Sequence, residues 1–99
     1  MKYKVKTLKT AYDDLKEIKQ YLDQFYPSTV RNFVRLYKSK KDGLKEFPFS
    51  HQAYEDDPDY RRLVVGDYLV FYQVDGMTKT VEIHRILHGS RDMSHHLRH

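Results

Sequence analysis

The sequence contains no cysteine, so it can form neither a disulfide framework nor a cysteine-based zinc site. It also lacks any run near the roughly 20 apolar residues that a membrane-spanning helix needs. Lysine alternates with other residues over positions 1–6, which is unlike a signal peptide. These absences predict a cytoplasmic protein with no membrane association, and the length of 99 residues predicts a single domain spanning 1–99.

The net charge of +4 is distributed unevenly along the chain. Residues 1–50 contain twelve Lys or Arg and six Asp or Glu, whereas residues 51–99 contain six and eight. The basic excess therefore lies in the N-terminal half. Such a surface is compatible with a nucleic acid or an acidic protein as partner.

The first half of the sequence predicts one strand followed by two helices. Residues 2–8 alternate lysine with Tyr, Val and Thr, which favours a short strand. Thr10–Asp13 matches a capping box, so we expect a helix to begin there. Pro27 suits the first position of a second helix, and Gly43 suits its C-cap. A link this short predicts an antiparallel helical hairpin.

The second half predicts three strands joined by tight turns. Apolar residues alternate or run together in 60–65, 68–74 and 80–88, with turn signals at Gly66–Asp67 and Asp75–Gly76. The element order is therefore β-α-α-β-β-β. We expect an α+β fold in which the N-terminal strand and the three-stranded meander form an antiparallel sheet with the helical hairpin on one face.

An irregular segment with four carboxylates precedes the meander. Its spacing lacks the glycine and the closing glutamate of a calcium loop, so it favours a solvated loop over a metal site. No motif for a metal or another cofactor is visible, and we expect neither. The four carboxylates belong to Glu55, Asp56, Asp57 and Asp59.

Histidine is the one neutral-pH acid/base residue type present, which makes His84 and His88 the candidate proton-transfer residues. Strict alternation along the last strand places both on one face, roughly 13 Å apart. The same alternation places Arg85 in an apolar row. That position is explained either by an ion pair with Asp67, Asp75 or Glu82, or by a role in a concave binding site.

Further arginines mark the ends of the predicted meander. Arg61 and Arg62 open its first strand and point to opposite faces, and Arg91 follows the last strand. Together with Arg85, these side chains are candidates for a groove that holds a phosphodiester or the acidic face of a partner.

The segments YRRLVVGDYLVFYQVDG and TVEIHRILHGSRDM resemble the RelE/ParE superfamily of bacterial type II toxin–antitoxin toxins, the plasmid stabilisation proteins. The helical segment AYDDLKEIKQYLDQFYPSTVRNFVRLYKSKKDGLKEFP is similar to the same family. The resemblance covers roughly residues 3–93. It implies a toxin whose partner is a cognate antitoxin, with a C-terminal segment that is disordered when free and wraps the toxin surface.

The family has two activities, and the resemblance leaves both open. RelE-like members cleave mRNA on the ribosome with basic residues on the sheet, and ParE-like members poison DNA gyrase. Three positions that carry functional side chains in the nuclease branch correspond here to Leu69, Arg91 and Leu97. Of these, only Arg91 has the residue type that the nuclease branch uses. For a nuclease, the resemblance therefore implies Arg91 with His84 or His88 as substitutes. The remaining alternative is a non-enzymatic basic domain that binds nucleic acid or a protein.

Overall fold

The computed structural model describes residues 2–55 and 57–90, and its elements follow the predicted order. Neither of its two helices is long and apolar enough to cross a membrane. The strands are β1 (Lys4–Thr7), β2 (Arg61–Val65), β3 (Tyr68–Asp75) and β4 (Thr80–His88), and the helices are α1 (Lys9–Leu22) and α2 (Pro27–Gly43).

The four strands form one mixed sheet in the order β1-β4-β3-β2. The meander β2-β3-β4 is antiparallel, as predicted, but β1 runs parallel to β4 with Val5 opposite Val81. The prediction of a purely antiparallel sheet is therefore wrong at β1. Side chains alternate with the same period in either strand direction, so the pattern of residues 2–8 cannot show which way the neighbour runs.

Both helices pack on one face of the sheet, where the larger apolar core forms. Tyr68, Val70 and Tyr72 lie in this core, as the alternation along β3 predicts. The hydroxyl of the fully buried Tyr72 donates to the carbonyl oxygen of Pro48 at 2.8 Å. Burial raises the pKa of Tyr72 to about 12, although the nearby Arg61 acts against that rise.

The opposite face, which we call the open face, carries a smaller apolar cluster of Tyr54, Tyr60, Phe71 and Leu87. Two of its tyrosines come from the segment before β2, which returns along the free edge of that strand. Backbone bonds fix this return, because the Arg62 N–H donates to the Gln52 carbonyl at 3.1 Å and Tyr54 N–H donates to the Tyr60 carbonyl at 2.7 Å. The open face is therefore partly covered by a loop.

The helix ends differ from the predicted ones in two places. Helix α1 follows Leu8 and has no side-chain cap, so the predicted capping box at Thr10–Asp13 does not form. Pro27 is the first residue of α2, as predicted, but Gly43 is still helical and Leu44 is the C-cap. Thr10 instead donates its hydroxyl to the His84 carbonyl at 2.8 Å, so a tertiary hydrogen bond uses the residue that the local pattern assigns to a cap.

Helix α1 covers the part of the β4 edge that β1 leaves open. The strand β1 ends opposite Ile83, and the Leu8 N–H then donates to the Ile83 carbonyl at 3.0 Å. The next hydrogen bond along this edge is donated by the Thr10 hydroxyl to the His84 carbonyl. The Asp14 carboxylate then accepts the Ile86 N–H at 3.0 Å. Open strand edges invite pairing with other chains, so these contacts protect residues 83–86.

The same Asp14 carboxylate forms a bidentate pair with Arg85. Its Oδ2 accepts from Nε at 2.7 Å, and its Oδ1 accepts from Nη2 at 3.0 Å. This hydrogen bonding raises the pKa of Arg85. The expected carboxylates were Asp67, Asp75 and Glu82, and the observed partner is none of these three. A paired fork of this kind fixes orientation as well as charge.

We expect Asp14→Ala to lower the free energy of unfolding by about 3 kcal/mol. The substitution leaves the Arg85 guanidinium and the Ile86 N–H without their carboxylate. Asp13→Ala is the matched control, because the Asp13 pair with Lys9 at 3.3 Å is exposed and should contribute less than about 0.5 kcal/mol. Urea denaturation at pH 7 measures both values, and equal losses would contradict the assigned role of Asp14.

Candidate functional site

The pairing of β3 with β4 shifts by one residue in the middle of the sheet. Phe71 lies opposite Arg85, whereas Tyr72 lies opposite Ile83, so His84 is the extra residue of a β-bulge. Beyond the bulge, side chains point to the faces opposite to those that strict alternation predicts. The apolar row in which strict alternation places Arg85 would consist of Val81, Ile83 and Leu87. That prediction is wrong after Ile83, because Leu87 joins the cluster on the open face.

The bulge also separates the two candidate histidines, which were expected to share a face. The ring of His84 contacts Tyr60 of the open-face cluster, with centroids 5.2 Å apart. The ring of His88 contacts Tyr68 of the helix-side core, with centroids 5.3 Å apart. Two rings directed to opposite faces of a sheet cannot serve as acid and base for one bound phosphate.

His84 has the surroundings of a packing residue. Burial lowers its pKa, and the Glu82 carboxylate, 3.8 Å from Nε2, only partly offsets this effect. The Nε2 atom is buried and has no hydrogen-bond partner among the described residues. Because its pKa is lowered from the ordinary value of about 6.5, the ring is mostly neutral at pH 7, and its Nε2 is closed to solvent.

His88 is exposed at the end of β4 and is held by its own turn. Its Nδ1 accepts the Ser90 N–H at 3.2 Å and lies 2.8 Å from the Ser90 Oγ. This leaves Nε2 as the ring nitrogen available to a ligand. Among the sequence-predicted histidines, His88 is thus the accessible one.

The arginines of β2 differ in their surroundings. The Nη1 of Arg61 donates to the His51 carbonyl at 2.7 Å and to the Phe49 carbonyl at 3.3 Å, and the guanidinium lies over the Phe49 ring at 5.1 Å. Arg61 thereby holds the loop before β2. Arg62 is exposed and lies opposite Phe71 in the sheet register.

The expected convergence of arginines at 61 or 62, 85 and 91 on one groove stays a prediction. Arg91 lies outside the described residues, so the structure gives no position for it. Arg85 is bound to Asp14 at one edge of the sheet, and Arg61 is bound to loop carbonyls near the other. Within residues 2–55 and 57–90, no group of three His, Asp or Glu side chains is arranged to hold a metal ion.

A surface that sequence reasoning missed lies around Tyr68, and we call it the Tyr68 groove. It consists of a cavity of about 460 Å³ between α1 and the end of β4 and a second of about 220 Å³ between α2 and the turn at Gly66–Asp67. Tyr68 lines both cavities. The first is also lined by Asp14, Glu17, Ile18, Tyr21, Ile86, Leu87 and His88, and the second by Leu22, Thr29, Asn32, Phe33, Leu36, Val65, Gly66 and Asp67.

Large apolar side chains remain exposed in this groove. Tyr21 is 53% exposed and Leu36 is 39% exposed, although each lies beside the buried stripe of its helix. The available sequence signal was that both helices have more large apolar residues than one stripe can bury. Exposed apolar side chains that line surface cavities are typical of a binding site for another protein.

Comparison with known proteins gives one family and a set of similar folds. Residues 5–93 match the family model described as the ParE toxin of type II toxin-antitoxin system, parDE. Among curated proteins, none is similar enough in sequence to count as a relative.

Three solved structures have a similar fold. A chain of the chromosomal ParDE toxin–antitoxin system from P. aeruginosa has a TM-score of 0.73 at 20% identity, covering 87% of this chain and 95% of that chain. A chain of the RelBE2 complex from Mycobacterium tuberculosis has a TM-score of 0.62 at 21% identity, covering 89% and 99%. A chain of the archaeal RelE–RelB complex from Pyrococcus horikoshii OT3 has a TM-score of 0.54 at 22% identity, covering 93% and 100%.

The packing of His84 predicts a specific pH dependence. Folding lowers the pKa of His84, so the unfolded chain binds a proton there more readily than the folded protein does. The free energy of unfolding is therefore unaffected by this group above its ordinary pKa of about 6.5, and it decreases as the pH falls from there through the lower folded value. His84→Phe keeps a ring against Tyr60 and removes the titrating group. We therefore expect the variant to gain stability relative to the wild type between pH 7.5 and pH 5, measured by urea denaturation.

The difference between the two proteins isolates this effect. His51, whose pKa is also lowered by burial, is present in both and cancels. Parallel stability curves for the wild type and the variant would show that His84 is not the group responsible.

Proposed function

The chain belongs to the ParE toxin family of type II toxin–antitoxin systems, and from this premise we propose that it arrests growth by binding DNA gyrase, with no chemistry of its own. We further propose that it acts in the cytoplasm and that a cognate antitoxin protein neutralises it by covering the Tyr68 groove.

The separation of the candidate proton-transfer side chains is the observation that best supports a binding inhibitor. RNA cleavage requires a base and an acid within reach of one phosphate. His84 is packed under Tyr60 on the open face, whereas His88 contacts Tyr68 on the other face. Arg85, the arginine between them, is already bound to Asp14.

Ribosome-dependent mRNA cleavage is the alternative within the family. It would require working side chains at the positions of Leu69, Arg91 and Leu97. Leu69 is half-buried and packs against the open-face cluster, where it offers apolar surface. Arg91 and Leu97 lie outside the described residues. The gyrase proposal needs none of these three positions to be catalytic, and this favours it.

The shape of the Tyr68 groove supports the proposed antitoxin site. Tyr68 lines both cavities, and each cavity has an exposed apolar side chain, Tyr21 in one and Leu36 in the other. An amphipathic segment binds such a surface by placing one apolar anchor in each cavity. A segment that is disordered when free can contact both cavities because it folds on the surface it binds.

Expression of the protein alone should arrest growth, and co-expression with the adjacent small gene should restore it. Purified protein at micromolar concentration should inhibit DNA supercoiling by gyrase, and mapping of transcript ends after induction should show no codon-linked cuts. His84→Phe should retain both growth arrest and gyrase inhibition, because its proposed role is packing.

Each result has a distinct consequence. Normal growth in cells that contain verified soluble protein would contradict activity as a toxin. If codon-linked cuts are found and they disappear in His84→Phe, the proposed activity would have to be mRNA cleavage and not gyrase inhibition. Salt-sensitive nucleic-acid binding without toxicity would favour the non-enzymatic binding domain.

The proposed antitoxin site predicts the effect of two exposed residues. Tyr21→Ala combined with Leu36→Ala removes one anchor contact from each cavity, and we expect antitoxin affinity to fall about tenfold or more, as for other central interface residues. Tyr12→Ala is the control, because Tyr12 is 60% exposed on α1 but lines neither cavity. Titration calorimetry with the antitoxin measures both effects, and equal losses would exclude the groove as the principal contact.

A further inference from the structure

Helix α2 carries a stripe of basic side chains on its outer side. Arg31, Arg35 and Lys38 are spaced four and three residues apart, so they share one face of the helix over roughly 10 Å. All three are exposed, whereas Phe33 and Tyr37, on the other side of the helix, are buried in the core. We call these three side chains the α2 stripe.

The stripe differs from those surface lysines that lie beside a carboxylate. Lys9 pairs with Asp13 at 3.3 Å, and Lys2 lies 3.7 Å from the Glu46 carboxylate. Within residues 2–55 and 57–90, no ion pair joins any stripe residue to a carboxylate. The one acidic residue on the same side of α2, Asp42, lies at its end and pairs with Lys45 at 3.5 Å.

This arrangement weakens the helix that carries it. Like charges three and four residues apart destabilise a helix by a few tenths of a kcal/mol per pair. Helix α1 avoids this cost with three basic and three acidic residues, whereas α2 has five basic residues and one acidic residue. The net charge of +4 on this helix equals the formal net charge of the whole chain. The excess positive charge is therefore concentrated on one helix, where several side chains can contact the same anionic ligand.

The neighbours of the stripe favour one kind of polyanion. Ser28 and Ser39 lie beside it on the outer side of α2, and both are exposed. Arginine, lysine and serine are residues that contact phosphate oxygens of nucleic acid. A single-stranded ligand would also require aromatic rings for base stacking, and an acidic protein bound by the stripe alone would require apolar anchors beside it. Neither type of residue belongs to this side of the helix.

We propose that the α2 stripe binds the phosphate backbone of duplex DNA. The biological role of this site rests on the proposed function. Gyrase acts on duplex DNA, so a toxin that contacts both the enzyme and the DNA would stabilise the complex between them. The site lies on the outer surface of the helical layer, whereas the proposed antitoxin groove lies between that layer and the sheet. The interaction itself depends on neither partner.

The test is a salt titration of DNA binding by the full chain. A fluorescein-labelled 20-base-pair duplex is titrated by anisotropy at several salt concentrations between 50 and 200 mM. Each neutralised phosphate contact contributes about 0.9 to the slope of log affinity against log salt. We expect Arg31→Gln, Arg35→Gln and Lys38→Gln together to reduce that slope by about 2 to 3 and to weaken binding at low salt at least tenfold.

The control removes the same charge elsewhere. Lys2→Gln, Lys9→Gln and Lys79→Gln together also lower the net charge by three, but Lys2 and Lys9 have carboxylate partners and Lys79 lies over the Tyr3 ring at 5.3 Å. We expect this variant to keep most of the wild-type slope. Equal losses in the two triple variants would overturn the inference, because the binding would then reflect net charge alone. Thermal unfolding of both variants at or above the wild-type temperature verifies that the fold is intact.

Two further ligands and one enzyme assay complete the test. Tighter binding of an RNA hairpin, or of poly-glutamate, than of the duplex would overturn the assignment to DNA. A protein that binds DNA through the stripe but does not inhibit gyrase would uphold this inference and overturn the proposed function. If the protein inhibits gyrase but its DNA binding is unchanged by the stripe substitutions, this inference would be overturned and the proposed function upheld.

Discussion

The carboxylate of Asp14 joins the helical layer to the sheet at the point where the sheet is least regular. It accepts two hydrogen bonds from Arg85 and one from the Ile86 N–H, while Thr10, one helical turn earlier, donates to the His84 carbonyl. Helix α1 therefore holds the three consecutive residues that follow the last residue paired with β1. A buried carboxylate must be paired to be tolerated, so this attachment is specific as well as stabilising. The bulge at His84 and the docking of α1 are one structural feature.

That feature distributes the polar side chains of β4 among different tasks. Arg85 forms an ion pair with Asp14 of α1, and His84 packs against Tyr60 on the open face. His88 remains exposed beside Tyr68. A strictly alternating strand would have presented the two histidines on one face. The same attachment places α1 so that Asp14 forms part of the wall of the larger cavity. The constraint that separates the candidate catalytic groups thus also builds the groove proposed for the antitoxin.

The parts of this fold that could be predicted from sequence depend on local chemistry. The turn at Gly66–Asp67, the alternation that buries Tyr68 and Tyr72, and the start of α2 at Pro27 each follow from a few neighbouring residues. The remaining features depend on distant partners. Asp14 and Arg85 are 71 residues apart, and no pattern near either one identifies the other. The direction of β1 leaves no mark on its alternation. The bulge did leave one signal, the consecutive apolar pair Ile86–Leu87, but such a pair also occurs in strands buried on both faces.

The two proposed surfaces are adjacent, and this has a consequence for control of the toxin. Thr29, Asn32 and Leu36 of α2 line the smaller cavity. Arg31 and Arg35, the immediate neighbours of Asn32 and Leu36 in sequence, lie on the outer side of the same helix. A segment anchored in the groove therefore runs along α2 within reach of the basic stripe. The larger cavity is lined by the carboxylates of Asp14 and Glu17 and, as its only basic side chain among the described residues, by His88, so acidic residues of the antitoxin gain less there. They gain most beside α2, where they would compete with phosphate for the same arginines. A partner with an apolar anchor for the groove and acidic residues beyond it would block both the groove and the DNA site, although it enters only one of them.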